Sequence, residues 1–216
     1  MAVMLPLIAD SHDVHSSKFN NSPLFINPAM TANFRGNFRF GLIYRNQRSI
    51  WVPYKIYSVF GDSKIKFSSM NRTCFGVAIM AYKNNAGDGI LQNSLGSISF
   101  SATQGFSRFN TFRVSTGFST GFVNRCVNLT QFVFDVQWNR LYFDPNQSNN
   151  EPFTSTSVFA FDFIFGLLIV YDILYNMRAY SGASISHINR PKSTFYNDGN
   201  RINRNLIVQG NITLLR

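Results

Sequence analysis

Four groups of side chains carry residue types that chemistry needs. In "DSHDVH", Asp10, His12, Asp13 and His15 offer oxygen and nitrogen ligands of the kind that hold metal ions. Chain termini often collect such residues, and no further cluster completes a coordination sphere, so no metal is expected. His187 with Ser184 or Ser186 supplies the elements of a hydrolase. A catalytic triad is defined by geometry, and no nucleophile motif surrounds either serine, so no catalysis and no cofactor is expected. "KNNAGDG" (Lys83–Gly89) resembles an ion-binding loop only superficially: its one carboxylate, Asp88, is too few for calcium, and a turn is expected. The fourth group is Arg39, Arg45, Arg113 and Asp162, charges set singly into segments with few others.

Those segments have period two. "FRFGLIYR" sets Phe38, Phe40, Leu42 and Tyr44 against Arg39, Gly41, Ile43 and Arg45. "CFGVAIMAYK" sets Phe75, Val77, Ile79 and Ala81 against Cys74, Gly76, Ala78 and Met80, and "LGSISFSAT" sets Ile98, Phe100 and Ala102 against Ser97, Ser99 and Ser101. In "FNTFRVSTGFSTGFV", Phe112, Val114, Phe118 and Phe122 oppose Arg113, Ser115, Gly117, Ser119 and Gly121. "SVFAFDFIFG" has Phe159, Phe161, Phe163 and Phe165 on one side and Ala160, Asp162 and Gly166 on the other; Leu206, Val208, Ile212 and Leu214 repeat the pattern near the end. Side chains of a strand alternate between faces, so each segment reads as a strand with one apolar face. Eight strands are expected, at about 36–46, 51–61, 72–83, 93–105, 109–123, 157–172, 178–188 and 204–215. Alternating short and long links are expected between them, the longest being Asn124–Thr156.

Composition narrows the setting. The chain has 216 residues with 23 Phe and 9 Tyr, yet only 14% charged residues and a mean hydropathy of −0.05. The longest apolar run, "FIFGLLIVY" (Phe163–Tyr171), is nine residues, too short for a membrane helix but long enough for a membrane strand. Such a face could be the core side of a soluble β-sandwich or the lipid side of a barrel. The opposite face is rich in Gly and Ser, not Lys and Glu, which favours the barrel. There, Arg39, Arg45, Arg113 and Asp162 must face the interior, since Arg on the lipid face near the midplane costs about 2–4 kcal/mol. The net charge of +10 is dispersed, with no nucleic-acid module, so no nucleic-acid partner is expected. Cys74 and Cys126 are compatible with a disulfide or with two thiols. The sequons at Asn71, Asn128 and Asn211 belong to a different secretory chemistry. Residues 1–9 read as the remnant of an export signal and 10–216 as one domain.

At "LFINPAMTANFRGNFRFGLIYRNQ" the chain resembles the opening of the PorP/SprF family of type IX secretion system membrane proteins of Bacteroidota. The matching positions are Asn27, Pro28, Ala29, Tyr44, Arg45, Gln47 and, slightly displaced, Trp51. Further similarities follow in order. Asn85, Ala86, Gly87, Gly89 and Leu91 resemble the turn that one of the family's strands enters. Phe134, Asp135, Gln137, Phe143, Asp144, Pro145, Glu151 and Phe153 resemble its mid-chain loop. Phe161, Asp162, Gly166, Leu167 and Tyr171 resemble a later strand, and Gly182, His187, Asn189, Arg190 and Pro191 its strand end.

The resemblance implies an antiparallel outer-membrane β-barrel with no enzymatic activity. It also implies a lipid environment and protein partners: components of the type IX secretion and gliding apparatus and the surface adhesins it exports. Asn27, Pro28, Ala29, Tyr44, Arg45, Gln47, Gly87, Gly89, Asp135, Gln137, Asp144, Pro145, Asp162, His187, Arg190 and Pro191 are the implied motif or partner-contact positions. Two departures stand out: the chain is shorter than the family's barrels, and "NITLLR" lacks an aromatic closing residue. They imply a compact variant or eight strands of an incomplete larger barrel. Phe25–Met30 is expected to cap the first strand, Pro28 being tolerated at a strand start, or to meet a partner. His187 is expected to close a hydrogen-bond network with Arg190.

Overall fold

The computed structural model describes residues 23–47, 53–66, 72–87, 91–107, 111–129, 134–138, 144, 147, 155–174, 177–192, 194–195 and 199–214. Eight strands follow one another: β1 (Phe38–Gln47), β2 (Tyr54–Ile65), β3 (Thr73–Ala86), β4 (Leu91–Gly105), β5 (Phe112–Val127), β6 (Ser157–Leu174), β7 (Met177–Ser186) and β8 (Asn205–Leu214). Each pairs antiparallel with the next in a single sheet. All eight expected strands are present, with ends displaced by a few residues. The chain is all-β apart from short helical turns, and no helix among the described residues is long and apolar enough to cross a membrane.

The register turns the sequence alternation into ladders. Val77, Phe100, Phe118, Phe165 and Ile185 stand opposite one another across β3–β7 on one face. One residue away, Gly76, Ser101, Gly117, Gly166 and Ser184 form the ladder of the other face. A register slip of one residue would exchange the two faces, so the pattern and the pairing fix each other.

The sheet curls strongly. A four-residue helix, α1 (Pro23–Ile26), is followed by a 3₁₀ turn at Pro28–Met30, and both lie against the Gly/Ser face. Leu24 packs on Phe60, Ala78 and Met80 of β2 and β3, while the carbonyl of Ile26, two residues later, accepts a bond from Ser184 Oγ of β7. In a flat sheet β3 and β7 would be roughly 19 Å apart, at about 4.8 Å per strand. A helix advances only about 1.5 Å per residue, so the strands must wrap around the segment.

No second layer covers the other face among the described residues. Phe40 is 62% exposed, Leu42 70% and Phe161 61%, and the outward apolar rows of β1 and β8 are exposed, as is that of β6 except for the half-buried Phe163. The soluble sandwich would need those rows packed against another sheet. Instead, Phe118 stacks beside Phe163 at 6.1 Å and Phe122 beside Phe159 at 5.7 Å, neighbours within one surface.

The links separate into two rims. Links 66–72, 106–111 and 175–176 share one end of the sheet; 48–53, 87–90, 128–156 and 187–204 share the other. The expected alternation of short and long links therefore holds only from β5 onward, because 48–53 and 87–90 are as short as those opposite. Cys74 and Cys126 are free. They pair across β4 with Thr103 and Gln92, eleven residues apart, or roughly 36 Å of strand, so no disulfide joins them.

Candidate functional site

The segment Ile26–Ala32 lies across the Gly/Ser ladder, crossing one strand after another. Ser184 of β7 donates to Ile26 O. Asn27 is next: a Cβ on Gly166 of β6 would collide with its Oδ1. Ala29 sits over β5, where Ser115 Oγ donates to its carbonyl at 2.9 Å and a Cβ on Gly117 would strike its backbone. Thr31 O accepts from Ser101 Oγ of β4 at 2.8 Å. Ala32 lies against Gly76 of β3, whose added Cβ would stand 2.6 Å from the Ala32 Cβ. Ala32 N–H then donates to Asp62 Oδ2 of β2 at 2.9 Å. The glycines are therefore the absence of side chains in the shape of a bound segment.

Asn27 is the best-connected residue of the segment. It is fully buried, and its Nδ2 donates to Leu167 O at 3.0 Å and Ala183 O at 3.3 Å, carbonyls directly opposite each other on β6 and β7. Its Oδ1 accepts from Ala29 N–H at 2.9 Å, capping the 3₁₀ turn, while Pro28 fills the first turn position, where no donor is needed. Asn is thus required twice, once as cap and once as latch. Around this polar line two apolar clusters form: Leu24 with Phe60, Ala78 and Met80, and Ala29 and Met30 with Leu168 and Val170. Two expectations change here. The Asn-Pro-Ala segment does not cap β1; it fills the inner face. That face is also less polar than its Gly and Ser content implies, because Phe60, Met80, Leu168 and Val170 supply a dry seat beneath the segment.

The charged groups turn inward as their cost in lipid demands. Arg39 grips Asp62 through Nε (2.8 Å) and Nη2 (2.7 Å), so Asp62 joins β1, β2 and the Ala32 amide. Arg113 Nη2 donates to Asp172 Oδ2 at 2.9 Å, and Arg178 Nε to Asp172 Oδ1 at 2.5 Å. His187 does not engage Arg190 through its ring. Its Nδ1 lies 2.9 Å from Asp162 Oδ2, and Arg190 contributes only a backbone N–H to His187 O at 3.0 Å. Both residues have left-handed backbones, φ 57° and 48°, which turn the chain back over β6 and aim the ring at the carboxylate. Ser184 is committed to Ile26 O, so the Ser184–His187 hydrolase arrangement is not formed.

The remaining motif residues gather toward the rim that carries the long links. Tyr44 packs on Tyr57 on the outer face at 5.1 Å, while Arg45 Nη2 donates to Gln47 Oε1 at 3.0 Å on the inner face. Gly87, with φ 65°, turns the chain out of β3 and donates its N–H to Pro53 O at 3.0 Å. Asp135 opens a 3₁₀ turn ending at Gln137. The buried Gln137 side chain accepts from Phe134 N–H at 3.2 Å and donates to Gln147 O at 2.9 Å. The Gln137 backbone carbonyl accepts from Asp144 N–H at 3.0 Å. Pro191 is buried and its carbonyl accepts from Ile202 N–H. Gly89, Pro145, Trp51, Phe143, Glu151, Phe153 and the Asp10–His15 cluster lie outside the described residues; among the described ones no three potential metal ligands converge. Alternation alone puts Ser101, Ser115 and Gly117 on the small-residue face without a role, and marks neither Asp62 nor Asp172. The available signal was that small inner-face residues recur at one level of successive strands.

The family model for the type IX secretion system membrane protein PorP/SprF matches residues 8–215. No curated protein and no solved structure matches the chain.

Proposed function

The chain belongs to the PorP/SprF family of type IX secretion system membrane proteins, and on that premise we propose that it is a non-enzymatic outer-membrane component that anchors or assembles exported surface proteins with the secretion machinery. One observation carries this reading: a curled sheet exposes its aromatic face while its inner face is occupied by its own Asn-Pro-Ala segment. Membrane-spanning strands must place apolar side chains outward and satisfy their backbone within the protein. A seated segment also favours a holder over an open pore, and residues 10–216 act as a single unit.

Barrels of this kind place short turns on the periplasmic side and long loops outside. On that orientation the rim carrying 128–156 and 187–204 faces the cell exterior, where exported adhesins are met. Tyr44, Arg45, Gln47, Gly87, Asp135, Gln137, Asp144, Arg190 and Pro191 are the residues nearest such partners, whereas Asn27, Pro28 and Ala29 act by holding the interior. The Asp162–His187 contact ties the second long link to the wall.

Carbonate-washed membranes test the setting: the protein should stay in the pellet and show heat-dependent gel mobility. Photo-crosslinkers at Trp138 and Arg190 should capture exported surface proteins in secreting cells, while one at Leu42 should capture none. Recovery in a detergent-free soluble fraction would sink the membrane reading; capture at Leu42 alone would sink the rim assignment.

A further inference from the structure

At the rim with the short links, positive charge exceeds negative among the described side chains. Arg113 of β5 and Arg178 of β7 meet at Asp172 on the inner face, and Lys64 of β2, on that same face, is repelled by both and by Lys66. They come from strands three and five positions apart, so curvature alone assembles them. Among the described residues, Asp172 is the one carboxylate bonded to the cluster, by both arginines. Asp62 is already engaged by Arg39 and the Ala32 amide. Lys64 donates to Phe34 O and lies 4.7 Å from the centre of the Phe34 ring, a neutral setting. At the cluster itself, three cations against one carboxylate among the described residues leave two positive charges on a partly enclosed surface, with Lys66 beside them. Arg113 Nε is buried and has no hydrogen-bond partner among the described residues. A guanidinium donor held from water without an acceptor is costly. The group that would relieve it is an anion placed between Arg113, Arg178 and Lys64.

We propose that this cluster is a phosphate-binding site at the short-link mouth, taking the phosphate of a free oxyanion or of a lipid headgroup. Phosphate matches on two counts. A phosphate monoester carries about −1.5 to −2 at neutral pH, the size of the excess. Its several acceptor oxygens can meet an Arg fork and a Lys ammonium at once, whereas a carboxylate offers two in one plane. The Lys64–Phe34 contact also ties the site to the inner segment, since Phe34 follows Asn33 directly.

The test is calorimetric titration of the detergent-folded full chain with inorganic phosphate, with short-chain phosphatidic acid and with succinate. Binding of phosphate, weakened about tenfold or more in both Arg113→Gln and Lys64→Gln and unchanged in Arg45→Gln at the opposite rim, supports the site with a free anion as ligand. Binding of phosphatidic acid alone, with the same variant pattern, supports it with a lipid source. Retained heat-dependent gel mobility shows that each variant is folded. Failure of both phosphate probes to bind folded protein overturns the proposal. So does succinate binding as tightly as either, or a loss in Arg45→Gln equal to that in Arg113→Gln.

Discussion

Two neighbouring ladders, one residue apart on the same five strands, behave as different materials. Val77, Phe100, Phe118, Phe165 and Ile185 form a row with no partner layer among the described residues, whereas Gly76, Ser101, Gly117, Gly166 and Ser184 are each matched to one atom or residue of Ile26–Ala32. The outer row needs only to be apolar, because fluid hydrocarbon accommodates any apolar shape. The inner row needs particular residues, because a folded backbone rests on it at contact distance and cannot flow aside. Tolerance and specificity thus alternate along a single strand, and substitutions at adjacent positions should fail for unrelated reasons.

The largest contrast is expected at Phe118. Phe118→Arg should destabilise the bilayer-reconstituted protein by about 2–4 kcal/mol in urea unfolding, whereas Phe118→Leu should cost less than about 1.5 kcal/mol. Equal losses would mean that the outer row is packed against protein. One residue away, Gly117→Ala adds a methyl where the Ala29 backbone lies and should cost about 1–3 kcal/mol. Its signature should be faster proteolysis of residues 23–33 with membrane insertion intact; a variant as protease-resistant as the parent would show that the segment does not rest there.

Asn27→Ala should come next, at about 1–2 kcal/mol, since it removes two donors from strand carbonyls and leaves the Ala29 amide without its cap. Asn27→Asp keeps the cap but loses the donors, and unfolding midpoints of the pair should separate the two roles. The smallest effect is expected at Gly61→Ala, within about 0.5 kcal/mol, because the nearest atom to an added Cβ is 3.7 Å away. A loss there as large as at Gly117 would mean that glycines matter for strand flexibility and not for the seat.

The same contrast explains what could be read in advance. The strands and their two faces were legible because alternation is local: Phe112 through Phe122 declares the period without reference to any other element. The long-range placements were not. Asn27 finds its acceptors 140 and 156 residues away, and Ser115 meets Ala29 across 86. Nothing near "INPA" distinguishes a strand cap from a segment folded inward, because its partners are backbone carbonyls and missing side chains, which leave no complementary residue type to look for. The family-like strand end pairs His187 with Arg190, but positive backbone angles at both residues send the ring to Asp162 instead. Arg39 and Asp62 became partners only once β1 and β2 were in register, where they stand directly opposite.

Spin labels placed singly at 115, 116, 118, 119 and 122, in a Cys74→Ser, Cys126→Ser background reconstituted into bilayers, test most directly which face of β5 meets lipid. Labels at 116, 118 and 122 should collide readily with lipid-dissolved oxygen and rarely with an aqueous nickel complex, while those at 115 and 119 should be shielded from both by the seated segment. Nickel access along 116, 118 and 122, or an oxygen profile without period two, would contradict a lipid-facing aromatic wall around an occupied interior.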